Sequence, residues 1–558
     1  MQQIRGFKWL TVLLLMTGCF LYFRFAVPYH TGIKEHIQLF IFSSSHMLPY
    51  FFKPAVIACL GGDFLTQFLY FKSGGAIVIT LLLAAEWRLI YLTFKRFPIV
   101  DTWHAASLLP VIIECICLPH LSFSLALPVS FILALSTFLA YARTTGKISI
   151  LTGILLIPVL YLTGGASVFL FLILAILYDI HCRQRSFVYG ALLAGLAFAV
   201  PVIFKYSFLL TIKQVFLYPY PDITQGISLV TLALLLTFLT ITNVRPFGRW
   251  AIPALMTSLL IAGLVKTTDR NQENRFGISI EAYHNNWDKV LAIAEKADLK
   301  NPVATCYTNM ALSQKSLLGE RIMDFYQPFV SGLLPEIQGS GWFTLFAGCD
   351  AYYHIGDLEM AQHAAMIGML FSPGQRSARM VERLAEISIV TGDTLVAKKY
   401  LRMLESTLFH KVKPDILLKN KPHQGVFRKD IIRTSDEIQP SLELLVESDP
   451  ENIRAVNYLL CYYLLRKDIP SFFRAYTSYC KGMYNPAPKA YAEALLIYFA
   501  AMKRPVEELT EYRILPEVFQ SFGEYTRLYE DSDGNLIPVQ EQFPNTYWLF
   551  YHFAIKND

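Results

Sequence analysis

Charged side chains within or beside long apolar segments are the residues of this sequence most able to take part in chemistry. Glu86 lies deepest in such a segment, and Glu114, Arg24 and Lys205 lie near the ends of others. A charge at the centre of a membrane helix costs about 2.5–3.5 kcal/mol, so it indicates a function by default. Charges near helix ends cost less, because long side chains reach the interface. We take these four as candidate substrate-binding residues. The alternative is a structural ion pair or an interfacial anchor.

Two further acidic residues lie in the segment 28–72, which follows the first apolar run. The spacing of apolar residues predicts amphipathic helices at 34–48 and 55–71, with Glu35 and Asp63 as their acidic residues. Helices of this kind lie along a membrane surface. A later polar loop adds four candidates that are expected on the same side, Lys213, Tyr218, Tyr220 and Asp222.

The composition indicates a membrane protein. Of the 558 residues, 54% are hydrophobic and 16% are charged, whereas soluble proteins carry about 25% charged residues. The net charge of +6 is small for this length. Because no basic stripe is interleaved with aromatic residues, the sequence predicts no nucleic-acid partner. The expected partner is the lipid bilayer.

Nine apolar segments are long enough, or nearly so, to cross a bilayer, which takes roughly 17–25 residues of helix. We predict spans at 9–26, 74–94, 104–118, 121–140, 148–162, 165–180, 187–206, 227–244 and 251–265. The chain is therefore expected to begin with a polytopic helical membrane domain, residues 1–266.

Lysine and arginine in the loops predict the orientation, because short cytoplasmic loops carry an excess of both. The N-terminus and every even-numbered loop are basic, through Arg5 and Lys8, Lys95 and Arg96, Arg143 and Lys147, Arg183 and Arg185, and Arg245 and Arg249. The short loops at 119–120 and around Gly164 have neither residue type. With nine spans, the N-terminus is predicted to be cytoplasmic and the remainder, 267–558, to lie on the extracytoplasmic side.

The remainder of the chain reads as helix pairs. Residues 283–288 align with 353–357, and 356–361 align with 392–397; from Trp287 the repeat positions follow at 32, 37 and 36 residues. These spacings are close to the 34-residue period of tetratricopeptide repeats. We predict a soluble α-helical repeat domain, and such solenoids offer a concave surface to partner proteins. The alternative is a compact helical domain without a groove.

Common catalytic motifs are absent. The sequence has no phosphate-binding Gly-Lys-Ser/Thr loop, no Gly-x-Ser-x-Gly turn and no His-Glu-x-x-His. The cysteines show no metal-binding spacing, and we leave open whether those after residue 266 are free thiols or disulfide-bonded. The polar segment 410–434 predicts a linker between two helical blocks.

The membrane half resembles the GT-C class of glycosyltransferases. In that class, an acidic residue follows the first span, within a first outer loop of two amphipathic helices; Glu35 occupies this place. The resemblance implies transfer of a sugar from a polyprenyl-phosphate lipid, often with a divalent metal, with Glu35 or Asp63 as the general base. It also implies that Arg24 and Lys205 hold the donor phosphate. The paired acidic motif of the class is replaced here by Lys34-Glu35-His36.

The whole chain resembles an uncharacterised family of Bacteroidetes inner-membrane proteins. The matching residues are Gly61-Gly-Asp-Phe-Leu-Thr-Gln-Phe68, Asn309-Met-Ala-Leu312 and Asn545-Thr-Tyr-Trp548. This resemblance implies an architecture and no activity. Two functions follow as hypotheses. One is a GT-C-like transferase on the extracytoplasmic side, and the other is a non-catalytic scaffold whose helical repeats dock envelope proteins.

Overall fold

The computed structural model describes residues 2–242, 251–411 and 437–555, and it is all-helical. Helices make up 77% of it, and no β-strand occurs within those ranges. The predicted all-α fold class is confirmed at this level. Arg245 and Arg249, and most of the predicted linker at 410–434, lie outside the described residues.

The chain forms two compact units. The first consists of Met1–Arg270 together with the short segment Glu405–Lys411, and the second consists of Asn271–Leu404 and Val412–Asp558. The segment Glu405–Lys411, called the closing segment below, is therefore distant in sequence from the unit to which it belongs.

Apolar helices build the first unit. Their bounds are α1 (Gln2–Leu21), α2 (Pro28–His36), α3 (Ser44–Met47), α4 (Val56–Thr66), α5 (Lys72–Phe94), α6 (Leu109–Cys117), α7 (Ala126–Arg143), α8 (Gly146–Gly164), α9 (Val168–His181), α10 (Phe187–Ser207), α11 (Ile212–Leu217), α12 (Ile227–Thr242) and α13 (Ala251–Thr267). The core of the unit is made of side chains from nearly all of the long helices, with Leu83, Phe131 and Leu174 among those fully buried.

Five helical stretches of the described chain are long and apolar enough to cross a membrane, or up to seven if each of two bent helix pairs is one span. The five are Lys72–Phe94, Ala126–Arg143, Gly146–His181, Phe187–Ser207 and Thr224–Thr242. These helices are thus compatible with a multi-pass membrane protein. The count of nine spans is not shown.

Two local features explain the difference in the count. The predicted span 104–118 is a 3₁₀ segment, Asp101–Leu108, followed by the nine-residue α6, with Pro110 in its first turn. Proline is tolerated there but not in a helix interior, so α6 does not continue the preceding turn as one long helix. The predicted spans 148–162 and 165–180 correspond to α8 and α9, which form one 36-residue stretch interrupted at Gly165, where φ is +69°.

The segment 28–72 is less regular than its periodicity predicts. The predicted helix 34–48 is not continuous: α2 ends at His36, and the chain becomes helical again at Ser44, after Ser43 caps the N-terminus of α3. The predicted helix 55–71 is found as α4 and a 3₁₀ turn, Gln67–Tyr70. A side chain at Gly62 would meet the backbone nitrogen of Ala126 at 2.3 Å, so this glycine permits α4 to pack closely against the start of α7.

The second unit contains shorter helices. They are α14 (Arg270–Tyr283), α15 (Trp287–Ala297), α16 (Pro302–Gln314), α17 (Leu318–Arg321), α18 (Trp342–Ile355), α19 (Leu358–Leu370), α20 (Ala378–Val390), α21 (Thr394–Glu405), α22 (Ile438–Ser448), α23 (Ile453–Leu465), α24 (Ile469–Tyr479), α25 (Lys489–Ala501), α26 (Pro516–Asp531), α27 (Leu536–Gln542) and α28 (Tyr547–Phe553). Many begin at a polar side chain that accepts a hydrogen bond from the first turn, as at Asn301, Asp357 and Asp468.

Two of the turns predicted from the repeat positions are present. Gly356, at φ +95°, ends α18 before α19, and Gly392, at φ +80°, lies between α20 and α21. Glycine is favoured at these positions because they are left-handed. Gly319 has a different role, because it lies inside α17, where a side chain would overlap the ring of Tyr491. A repeat architecture is not shown by these turns.

A charged cluster joins four helices inside the second unit. Asp350 of α18 accepts hydrogen bonds from Arg379 and Arg383 of α20, and Arg379 also donates to Ser279 of α14 and Tyr307 of α16. All five side chains are buried. Burial would raise the pKa of Asp350, but the two guanidinium groups hold it below its usual range. Asp350 is therefore ionised, and its ion pairs with the two arginines cross-link the helices around the cluster.

Candidate functional site

Glu35 lies in the last turn of α2 and is 4% exposed. Its Oε1 is hydrogen-bonded to Nε2 of His410, from the closing segment. The neighbouring Lys34 fixes the position of α2, because its ammonium group donates to the carbonyl oxygens of Leu118 (2.5 Å) and Phe123 (2.7 Å). The carboxyl of Glu35 is thus held by a rigid helix on one side and an imidazole on the other.

Asp63 lies in the middle of α4 and is half-buried. Its Oδ2 accepts a hydrogen bond of 2.5 Å from the hydroxyl of Tyr50. Burial raises the pKa of Asp63, and this effect is opposed by hydrogen bonds from Tyr50 and Gln38 and by the charge of Lys53. A carboxyl with a raised pKa is suited to proton transfer near neutral pH.

The structure brings Glu35 and Asp63 to one recess. Both carboxyls line it, although their residues are 28 positions apart in sequence. The other lining residues are Gln38, Leu39, Phe40, Thr66, Gln67, Thr407 and His410. The cavity volume within it is about 10 Å³, room for about one water molecule, and ordinary small-molecule pockets have roughly 300–1,000 Å³.

The closing segment covers the recess through backbone and side-chain contacts. The amide of Phe42 donates to the carbonyl of Ser406 (2.8 Å), and the amide of Leu408 donates to Oε1 of Gln67 (3.4 Å). Phe409 inserts its ring among three aromatic rings, with centroid distances of 5.1–6.0 Å to Phe68, Tyr70 and Phe71. The closing segment therefore forms one wall of the recess, through Thr407 and His410.

Arg24 and Lys205 do not line the recess. The guanidinium of Arg24 lies 5.1 Å from the ring of Phe25, and the ammonium group of Lys205 lies 5.2 Å from the ring of Tyr206. Both are half-buried, as expected of interfacial anchors. Lys53 is the basic residue whose charge acts on Asp63.

The remaining predicted site residues lie in three other places. Glu86 and Glu114 are buried together in the core of the first unit. Tyr220 is buried, with its hydroxyl 3.4 Å from Oγ of Ser130. Asp222 is exposed and pairs with Lys213 at 3.3 Å. None of these residues lines the recess.

Sequence reasoning missed His410 and Thr407. His410 was expected to begin a linker, and it is 375 positions from Glu35. The aromatic pair Phe409-His410 at the edge of a polar segment was the available signal, because such rings are seldom left in a solvated linker.

The recess does not fit the divalent metal that the GT-C resemblance implies. Glu35 is engaged by His410, and Asp63 by Tyr50. Within residues 2–242, 251–411 and 437–555, no group of three or more His, Cys, Asp or Glu side chains is arranged to hold a metal ion. The chemistry proposed below therefore uses the side chains of the recess.

Comparison with known proteins gives one match. A profile for a family of unknown function, DUF6057, matches residues 3–554. No curated protein and no solved structure matches the chain. Because the matched residues cover nearly the whole sequence, the chain belongs to this family of unknown function, DUF6057.

Proposed function

We propose that this protein is a membrane transferase that moves a sugar from a polyprenyl-phosphate lipid to an acceptor hydroxyl on the extracytoplasmic side. One observation carries the proposal: Glu35 and Asp63, from two different helices of the segment 28–72, line a single recess. The resemblance of this half to GT-C transferases points to the same two residues.

Asp63 is the general base of the proposed reaction. Its carboxylate takes the proton of the acceptor hydroxyl while the hydroxyl oxygen forms a bond to the anomeric carbon of the sugar. The bond from that carbon to the lipid phosphate breaks, and the polyprenyl phosphate leaves with the bonding electrons. The raised pKa of Asp63 favours this role. Glu35, held by His410, positions the closing segment.

The donor phosphate requires a cation, and Lys53 is the best candidate. The side chain of Lys53 is exposed, and its charge acts on the carboxyl of Asp63. None of Lys53, Arg24 and Lys205 lines the recess, but the charge of Lys53 acts on Asp63, whereas Arg24 and Lys205, the residues that the GT-C resemblance implies for this role, are not among the groups that act on it. An ammonium group binds phosphate as a point charge, which suits a mobile headgroup.

The proposed topology has nine spans, a cytoplasmic N-terminus and a periplasmic domain at 267–558 with tetratricopeptide-like helix pairs. The distribution of lysine and arginine in the loops supports it. Alkaline phosphatase fused after residue 270 should be active, and the same enzyme fused after residue 96 should be inactive. The reverse pattern would overturn the orientation, and with it the reaction on the outer side.

The test of the transferase is a comparison of Asp63→Asn and Glu35→Gln with the wild type in a deletion strain. Transfer of labelled sugar from a polyprenyl-phosphate donor into the cell envelope should fall at least 100-fold in Asp63→Asn. Glu541→Gln, an exposed carboxyl of α27, is the matched control and should retain full transfer. An envelope glycan profile that is the same in the deletion strain and the wild type would rule out the transferase.

A second candidate function is an envelope scaffold. The small volume of the recess and the location of Arg24 and Lys205 outside it favour this reading. For a scaffold, Asp63→Asn should have no phenotype, whereas deletion of residues 271–558 should release envelope proteins that co-purify with the full chain. Loss of transfer in Asp63→Asn with retained co-purification would decide for the transferase.

A further inference from the structure

A second pair of carboxyls lies in the core of the first unit. Glu86 is on α5 and is 0% exposed, and Glu114 is on α6 and is 1% exposed. Leu83 and Ile90, three and four residues from Glu86 on the same face of α5, are buried in the apolar core of the unit. The pair is separate from the recess described above and has no part in the proposed transfer.

The two carboxyls face each other and interact directly. Neither of them accepts a hydrogen bond from a donor group elsewhere in the described chain. The hydroxyl of Ser228, at the start of α12, is 2% exposed, points at Glu114 and has no other partner within the same residues. Three polar side chains from three helices thus converge on one buried point.

Among the residues that the structure describes, no basic side chain acts on the pair. The ionisable groups that act on it are Tyr220 and Cys117, and both are uncharged when protonated. Ionisable groups on the other elements packed against α5 and α6 are turned to different partners. Cys19 contacts Cys115, Lys34 donates to two backbone carbonyls, His104 contacts Asp101, Arg24 and Arg88 lie beside aromatic rings, and Lys266 is exposed.

Electrostatic repulsion and burial determine the protonation state of this pair. Two carboxylates in contact repel each other, and each loses its hydration on burial, so a doubly ionised pair is strongly disfavoured. A protonated carboxyl gains a donor that its neighbour can accept. A calcium or magnesium ion would need six or more oxygen ligands, more than two carboxyls and one hydroxyl supply from separate groups. A proton needs two.

We propose that Glu86 and Glu114, with Ser228, form a proton-binding site in the core of the helical unit. One carboxyl donates a shared proton to the other, and the Ser228 hydroxyl donates to Glu114. Because the three residues come from α5, α6 and α12, gain or loss of the proton changes the contacts between these helices. The ligand is the proton, and the site is independent of the proposed transferase.

Infrared spectroscopy of the full-length protein in lipid nanodiscs tests the proposal. At pH 7 the wild type should show the carbonyl band of a protonated carboxylic acid in an apolar environment. Glu493 is also buried and protonated at this pH and contributes to the band, so the double variant Glu86→Gln/Glu114→Gln should lose the part of the band that is due to the pair and keep the rest. The band should be unchanged in Asp101→Asn, which removes an exposed carboxyl from the turn before α6. A band of equal intensity in the wild type and the double variant would overturn the proposal.

Two further measurements keep the test decisive. If the double variant does not fold, each single variant must shift the band, because an amide replaces one partner of the shared hydrogen bond; an unshifted band overturns the proposal. Sodium or potassium, added at constant pH and ionic strength, should leave the band in place. Loss of the band on addition of either ion would identify a cation site and would overturn the proposal that the ligand is a proton.

Discussion

Replacement of His410 by alanine should release the closing segment from the recess. The substitution removes the hydrogen bond to Glu35, both partners of which are buried, and the edge-on contact of the imidazole with Tyr70 at 5.1 Å. A hydrogen bond to a charged group contributes about 1.5–3 kcal/mol, and a ring pair about 0.5–1.5 kcal/mol. The segment should therefore lose about 2–4 kcal/mol of docking free energy.

Hydrogen exchange measures this loss directly. The amides of Phe42 and Leu408 are protected by Ser406 and Gln67, so their exchange reports on docking of the segment. Since about 1.4 kcal/mol corresponds to a factor of ten, exchange at both amides should accelerate by roughly 30-fold to 1,000-fold. Peptides from the core of α7 should exchange at the wild-type rate.

Two companion variants separate the hydrogen bond from general loosening. Lys411→Ala removes an exposed side chain next to His410 and should leave exchange unchanged. His410→Gln retains a donor for Glu35 and should restore part of the protection. Equal acceleration in His410→Ala and Lys411→Ala, or none in either, would refute the reasoning that the Glu35–His410 contact holds the segment.

Three other substitutions give measurable outcomes. Gly62→Ala should destabilise the protein in thermal unfolding by about 1–3 kcal/mol, because the new methyl group meets the backbone of Ala126; Gly61→Ala, which meets Val129 at an ordinary 3.5 Å, should be neutral or stabilising. Asp350→Ala should lower the free energy of unfolding, measured with denaturant, by about 3–5 kcal/mol, because Arg379 and Arg383 lose their buried partner. Asp288→Ala, at an exposed residue, should lower it by at most about 1 kcal/mol. Burial raises the pKa of Glu493 to about 8, against an ordinary 4.5, and this carboxyl accepts a hydrogen bond from the amide of Tyr547 in α28. Docking of α28 should therefore be strongest below pH 4.5 and should weaken by up to about 1.4 kcal/mol per pH unit until pH 8. Glu493→Gln should remove this pH dependence of hydrogen exchange at Tyr547, and an unchanged pH dependence would contradict the assignment.

Local features of the fold were predictable from the sequence. The turn at Gly356 followed from a glycine between two helical periods, and the structure has a left-handed residue there. The helical class followed from apolar spacing. The count of spans did not, because the predicted span 104–118 contains a 3₁₀ segment and then a new helix with Pro110 in its first turn. The interruption at Gly165 lies where the sequence predicted a loop, around Gly164.

The recess was only partly predictable. The segment 28–72 indicated Glu35 and Asp63 through their position after the first span, and they line the recess; their chemical roles stay predictions. The pair Phe409-His410 indicated a packed segment, but its contact with Glu35 could not be predicted, since no local pattern encodes a contact across 375 positions. The same holds for Asp350 and its arginines, whose pairing depends on helix packing.

The closing segment also has a consequence for biosynthesis. As the chain leaves the ribosome, α1 to α13 are complete long before residues 405–411 exist, and the whole stretch Asn271–Leu404 must be translated in between. During that interval Glu35 lacks the imidazole of His410, and the aromatic rings around Tyr70 lack Phe409. The first unit is therefore completed only when the late closing segment of the same polypeptide has been made. A chain that stops early would expose its carboxyls and rings to the quality-control proteases of the cell, whereas a full-length chain covers them itself.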